Sequence, residues 1–196
     1  MMKNKRSILC PPLISLLWLM TLPVIADPRV VDGCTIKPKT TCYKANLSGV
    51  DLSGEDLTSA ILIKVNLTGA TLKGTKFVNA KMWNSVLDSA DLTAADVKGA
   101  VLANASLKKA TLKQTEMSGA VLVHADLTGA NLDGAKLLKA KGQHANFTEV
   151  SMVATDLERA NLAYATFTGA TLTNIRVKNT LFYGAKLNTK VPITIQ

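Results

Sequence analysis

From Ala45 to Leu187 a large apolar residue recurs at every fifth position, without an insertion or a deletion. It is the third residue of each five-residue unit, first at Leu47 and last at Leu187. It is Leu in 19 of 29 units, Phe, Met or Val in nine, and Gly once, at Gly142. The position two before it is Ala in 19 of the 29. The other three positions are mostly polar. An amphipathic helix repeats its apolar residues at 3.6, and a half-buried strand at 2. A period of five fits neither. It suits a chain that turns a corner every five residues, with one large and one small side chain pointing inward. Four such sides close a coil of twenty residues, and stacked coils bond to each other as parallel strands do. The predicted elements are short strand segments joined by tight turns in a right-handed β-solenoid.

The units Ala45-Asn46-Leu47-Ser48-Gly49, Ala125-Asp126-Leu127-Thr128-Gly129 and Ala130-Asn131-Leu132-Asp133-Gly134 carry a further signal. They resemble the A(D/N)LxG consensus of the pentapeptide repeat family. The resemblance implies an all-β fold, a right-handed quadrilateral parallel β-helix of about seven coils. At parallel-strand spacing its body is about 35 Å long.

All four Phe of the chain fall at the central position, at Phe77, Phe147, Phe167 and Phe182. Full burial of each large side chain contributes roughly 1.5–3 kcal/mol, enough in sum for one domain. Gly142 leaves a gap in its column. Leu122 and Leu162, above and below, are expected to fill it; the alternatives are a small cavity or a bulge that re-aims His144. The Asn or Asp before many central residues has a backbone reason, because short polar side chains bond nearby backbone groups in tight turns. The Gly or Ser two places after the central residue suits positive φ. The sequons at Asn46, Asn66, Asn104 and Asn146 are by-products of the repeat.

The ends differ from the body. Residues 1–26 read as a secretory signal peptide. Lys3, Lys5 and Arg6 precede an apolar run from Ile8 to Met20, and Val24-Ile25-Ala26 precedes a cleavage point at Asp27. The expected location is exported, periplasmic or secreted, with no integral membrane segment after cleavage. Residues 27–44 form an N-terminal cap, 45–187 the β-helix and 188–196 a C-terminal cap or tail. In an exported chain, Cys34 and Cys42 read as one disulfide pinning that first cap over the apolar end of the coil. Val191 to Ile195 is expected to cover the last coil, with Pro192 blocking further strand growth.

Residues twenty apart share a column, so the surface sorts into four sides. The third, centred on Leu57, Phe77 and Val97, reads as a solvated ladder of mixed charge: Asp56, Lys76, Asp96, Glu116, Lys136, Asp156, Arg176. The fourth, centred on Leu62, Met82 and Leu102, is unlike the rest. It gathers Tyr43, Ile63, Trp83, Val121, Val123, His124, His144, Tyr164 and Tyr183 with Lys64, Lys81 and Lys141, and has no acidic residue. Apolar and aromatic patches rimmed by charge mark interaction surfaces. β-Branched residues suit strands in any case. That accounts for the Ile and Val but not for the gathering of aromatics and both histidines.

The net charge is +9, and +6 without residues 1–26. No nucleophile–base set, phosphate loop or metal-ligand spacing is present, so no catalytic residue, metal or cofactor is assigned and enzymatic activity is not expected. His124 and His144 are expected about 5 Å apart by strand spacing, without a third ligand. The predicted function is an exported, non-enzymatic scaffold or binding protein. It presents the fourth side to a protein partner, to a second copy in a homodimer, or to an anionic envelope polymer. The family resemblance implies an alternative, a DNA-mimic inhibitor of DNA gyrase of the quinolone-resistance type. That role needs a cytosolic location and an acidic surface. The leader and the positive charge argue against it. Nucleic-acid binding is not expected either, because the lysines are dispersed rather than striped.

Overall fold

The computed structural model describes residues 29–188 and residue 195. The proposed leader and most of the C-terminal tail, Pro192 included, lie outside the described residues. The body is a right-handed quadrilateral β-helix. Its pairing is parallel and holds one register, residue n against n+20, from Thr41↔Ile61 to Thr166↔Lys186. Most sides are so short that each coil contributes a single bridging residue. Longer strands form at β3 (Thr41–Tyr43) with β4 (Ile61–Ile63), and at β5 (Ser151–Val153) with β6 (Thr171–Thr173). No described helix is long and apolar enough to cross a membrane.

The repeat becomes intelligible when each N–H of a unit is followed to its acceptor. In the first unit Leu47 donates to the Asn66 carbonyl one coil on, and Gly49 to Thr68. Val50 closes the turn by donating back to Leu47, and Asn66 in the next coil donates to Ala45. That leaves the residue after the central one, Ser48, whose N–H donates to Asn46 Oδ1 at 3.2 Å. Buried or half-buried backbone must be paired, and the Asn/Asp position pairs the last donor. The same bond recurs from Asp51 to Ser53, Asn66 to Thr68, Asp126 to Thr128 and Asn161 to Ala163, as the sequence reading of these residues requires. The residue two after the centre has positive φ throughout the body, 66° at Gly49 but also 56° at Gln114 and 58° at His124.

Inside, the central residues from Leu47 to Leu172 are fully buried. Where the small inward residue is hydroxylic it keeps a partner. Thr75, Ser85, Thr115 and Thr155 donate to the central carbonyls of Leu52, Leu62, Leu92 and Leu132 at 2.6–3.0 Å. Phe147 and Phe167 stack with ring centroids 4.9 Å apart, one coil's rise. At Gly142 the register continues, because His144 N–H still donates to Ala163 O. There is no bulge. The space is filled by Leu162 Cδ2, 2.8 Å from where a Cβ would sit, and by the Phe147 ring edge at 3.7 Å. Leu162 thus enters the gap as the sequence suggested, and the Phe147 ring adds to it from the neighbouring side.

The two ends are unequal. At the start, β1 (Val30–Val31) pairs antiparallel with β2 (Cys34–Thr35), and this hairpin lies over the first coil. Arg29 donates to the Asp51 carbonyl at 2.6 Å, the Asn46 N–H donates to Asp32 Oδ2 at 2.5 Å, and Ile36 is buried. The Cys34 and Cys42 sulfurs lie at bonding distance, with Cα atoms 5.2 Å apart. At the other end Leu172, Ile175, Val177, Phe182, Leu187 and Ile195 line an apolar hollow of about 320 Å³. Leu187 is 45% exposed, and Ile195 pairs with Ile175.

Candidate interaction face

The fourth side is built from three outward columns. The first runs Ile61, Lys81, Val101, Val121, Lys141, Asn161, Leu181. The second runs Tyr43, Ile63, Trp83, Ala103, Val123, Gln143, Ala163, Tyr183. The third, at the corner with positive φ, runs Lys44, Lys64, Asn84, Asn104, His124, His144, Tyr164, Gly184. The register of twenty brings all the sequence-selected residues of this side into these adjacent columns. The outer two tyrosines stand at opposite ends, Tyr43 at 58% and Tyr183 at 75% exposure. Trp83, Ile63, Val121 and Val123 are half-buried rather than exposed. Strand-borne side chains at coil spacing lie against their neighbours above and below, which covers their flanks.

The corner column holds the feature that the sequence only hinted at. His124 and His144 stack with centroids 4.9 Å apart and planes 14° from parallel. Tyr164 continues the stack at 5.0 Å and 6°. Tyr183 closes it edge-on at 5.4 Å and 85°. All four of these residues are exposed. The ring of Tyr164 lies over Gly184, where a Cβ would come within 2.5 Å of it. Gly184 is therefore part of this site, and sequence reasoning passed over it. Its signal was a glycine one coil beyond a tyrosine. As placed, the two imidazole planes are nearly parallel, so their in-plane lone pairs run side by side rather than converging on one ion.

Lys44 sits with Nζ 5.2 Å from the Tyr43 ring centroid. None of Lys44, Lys64, Lys81 and Lys141 forms an ion pair among the described residues. Gln143 Oε1 is buried without a hydrogen-bond partner among the described residues. The third side differs at each point. Two of its cations are matched along the column, Lys136 to Glu116 at 2.6 Å and Arg176 to Asp156 at 3.4 Å. The hydrogen bond and charge of Glu116 hold the Lys136 ammonium above its ordinary range. The fourth side is thus set apart by cations without any carboxylate among its outward columns. Among the described residues no three His, Cys, Asp or Glu side chains are placed to hold a metal.

The family profile described as pentapeptide repeats matches eight copies, over residues 42–77, 66–104, 85–122, 100–137 and 143–179. No curated protein sequence matches the chain. Among solved structures it is similar to a trypsin-treated variant of QnrB1, a plasmid-mediated fluoroquinolone resistance protein. That match has 21% identity and a TM-score of 0.39, covering 74% of this chain and 79% of that one. It is also similar to HetL of the cyanobacterium Nostoc sp. strain PCC 7120, a protein involved in heterocyst differentiation regulation. The identity there is 25% and the TM-score 0.27, over 78% of this chain and 85% of that one. A third similar structure is a pentapeptide repeat protein of the Arabidopsis thaliana thylakoid lumen. It shows 26% identity and a TM-score of 0.24, over 60% and 71% of the two chains.

Proposed function

The chain belongs to the pentapeptide repeat family, whose members are generally structural or binding scaffolds, and from that premise we propose that it is an exported, non-enzymatic binding protein acting through its fourth side. One observation carries the reading. On this side alone, aromatic and aliphatic groups gather with unmatched lysines and no carboxylate. On the other sides carboxylates stand among the outward residues, accepting from turn N–H groups or pairing with lysines, as Asp91 and Asp126 do. Interfaces favour Tyr and Trp around an apolar centre, with charged groups at the rim. The basic start, the apolar run and two sulfurs at disulfide distance support an oxidising compartment outside the cytosol.

Light scattering on residues 27–196 under oxidising conditions, compared with Trp83→Lys and Tyr183→Lys, tests the reading. A dimer that becomes a monomer assigns the side to self-association. A monomer throughout directs the search to a partner captured from an envelope extract, with both substitutions expected to weaken capture while the circular dichroism stays unchanged. If neither substitution alters any association, the fourth side is not the binding surface.

A further inference from the structure

We propose that the N-terminal hairpin is a disulfide-latched plug over a docking surface, and that this surface takes the last coil of a second copy, so that reduced chains stack head to tail. The hairpin holds the place that a preceding coil would hold. Within the body the Asn66 N–H donates to the Ala45 carbonyl one coil back, and the Thr71 carbonyl accepts from the Leu52 N–H. The first coil has no coil before it among the described residues. There Asp32 accepts from the Asn46 N–H instead, and Arg29 donates to the Asp51 carbonyl. Cys42 heads the inward column of the fourth side, paired with Leu62. Cys34 is bonded to it and fully buried, with Cα atoms 5.2 Å apart. That is close to the rise of one coil, about 4.8 Å. Cys34 thus sits where the inward residue of another coil would stack.

The last coil presents the complementary edge. Among the described residues the Phe182, Gly184 and Leu187 N–H groups find no acceptor, and the Ala185 carbonyl finds no donor. In the body the Lys81 and Trp83 carbonyls accept from Leu62 and Lys64 of the coil before. Thr41 and Tyr43 hold the same places in the first coil. Set in the register of the body, a second copy brings its Thr41 and Tyr43 carbonyls onto the Phe182 and Gly184 N–H groups. Its Asn46 N–H meets the Ala185 carbonyl, and its Leu47 covers Leu187, which is 45% exposed. The Asn46 N–H is therefore contested between Asp32 of its own hairpin and Ala185 of the neighbouring copy.

Charge sets the direction of stacking. Residues 45–63 carry Asp51, Glu55 and Asp56 and no cation. Residues 160–196 carry Arg176, Lys178, Lys186 and Lys190 and no acid. First coil on last coil brings opposite charges together, whereas last coil on last coil brings like charges together. The two surfaces differ, so the contact is heterologous and the stack stays open. The latch is chemical. A dithiol reductant breaks the Cys34–Cys42 bond, leaves two thiols on the chain and closes on itself as a disulfide. The hairpin is then held by two-residue strands, two side-chain hydrogen bonds and the burial of Ile36. A two-stranded hairpin of that size is marginal in water on its own.

Sedimentation velocity on residues 27–196 tests this, comparing the oxidised chain, the same chain in a dithiol reductant, and Cys34→Ser/Cys42→Ser over a range of concentrations. Both unlatched forms should grow past a dimer as the concentration rises, and reoxidation should return the reduced chain to its starting size. Leu187→Lys charges the exposed residue that the incoming Leu47 would cover, and it should abolish the growth. Trp83→Lys should leave the growth intact, which separates end stacking from association through the fourth side. A mixture made in the Trp83→Lys background is the most specific case. The unlatched Leu187→Lys chain offers only its first coil, and the oxidised chain only its last coil. The two should form a one-to-one pair and stop there. The proposal is overturned if unlatching leaves the size unchanged, if growth survives Leu187→Lys, or if the mixture forms no pair. It is equally overturned if unlatching removes the circular dichroism of the β-helix, because the hairpin would then support the body rather than cover a docking surface.

Discussion

Gly142 is the one central position without a side chain, and it gives the sharpest test of the packing. Repeat logic alone favours restoring the consensus Leu, since consensus substitutions commonly stabilise. The structure predicts the opposite sign. A Cβ at Gly142 would lie 2.8 Å from Leu162 Cδ2 and 3.7 Å from Phe147 Cε2 and Cζ. The backbone itself is permissive, because Gly142 is not among the residues with positive φ. Replacing Gly by Ala therefore gains about 0.4–1 kcal/mol through the unfolded chain, offsetting a small displacement of the Leu162 methyl. Leu brings three further carbons into space that is already occupied. Overpacking of that kind costs about 1–3 kcal/mol. In a chain of this size that corresponds to a melting temperature lower by about 2–4 °C per kcal/mol. Leu162→Ala alone should cost about 2–5 kcal/mol. Combined with Gly142→Leu it should cost less than the two in sum, with a coupling of about 0.5–3 kcal/mol. Thermal unfolding followed by circular dichroism reads all four proteins. A higher melting temperature for Gly142→Leu, or strict additivity in the pair, refutes the account of how this gap is filled.

Cys34→Ser or Cys42→Ser should lower stability by about 2–3 kcal/mol, as expected for opening so short a loop. Added reductant should then have no further effect, and an unchanged melting temperature under oxidising conditions would refute the pinned cap. Asp51 and Asp56 are held below the ordinary carboxylate value of 3.8, chiefly by hydrogen bonds from Ser53 and Thr58. A depressed carboxylate contributes stability that is complete above the unfolded-state value and lost as the pH falls through the folded-state value. The melting temperature should drop on acidification below about pH 4, and Asp51→Asn with Asp56→Asn should flatten that drop. An unchanged acid limb in the double variant would remove these two turns from the account.

Much of the fold was legible in the sequence because the repeat has no indels. Once Leu47 and Leu67 share a column, every later residue is placed by counting, and the fourth side could be assembled from residue numbers. The Asn/Asp bonds were legible for a related reason. An i to i+2 bond such as Asp51 to Ser53 is local, so composition and position suffice to predict it. The candidate site was only partly legible. Counting put His124, His144 and Tyr164 in one column but said nothing of the ring planes. It could not show that Gly184 exists to admit the Tyr164 ring, nor that Trp83 is half-buried while Tyr183 is exposed.

The sequence by itself therefore determined the periodic quantities: the coil, the register, the inward and outward assignment and the charge of each side. These follow from spacing along the chain, which a strict period converts directly into position. Only the tertiary structure decided what happens between coils. Leu162 and Phe147 close the gap at Gly142, and Thr75 and Thr115 bond central carbonyls 23 residues earlier. The hairpin closes one end, and the histidines stack ring on ring. The physical reason is that such contacts depend on side-chain rotamers and on neighbours twenty residues away, and several rotamers satisfy the same inward or outward rule. Packing selects among them, and no periodicity in the chain records that selection.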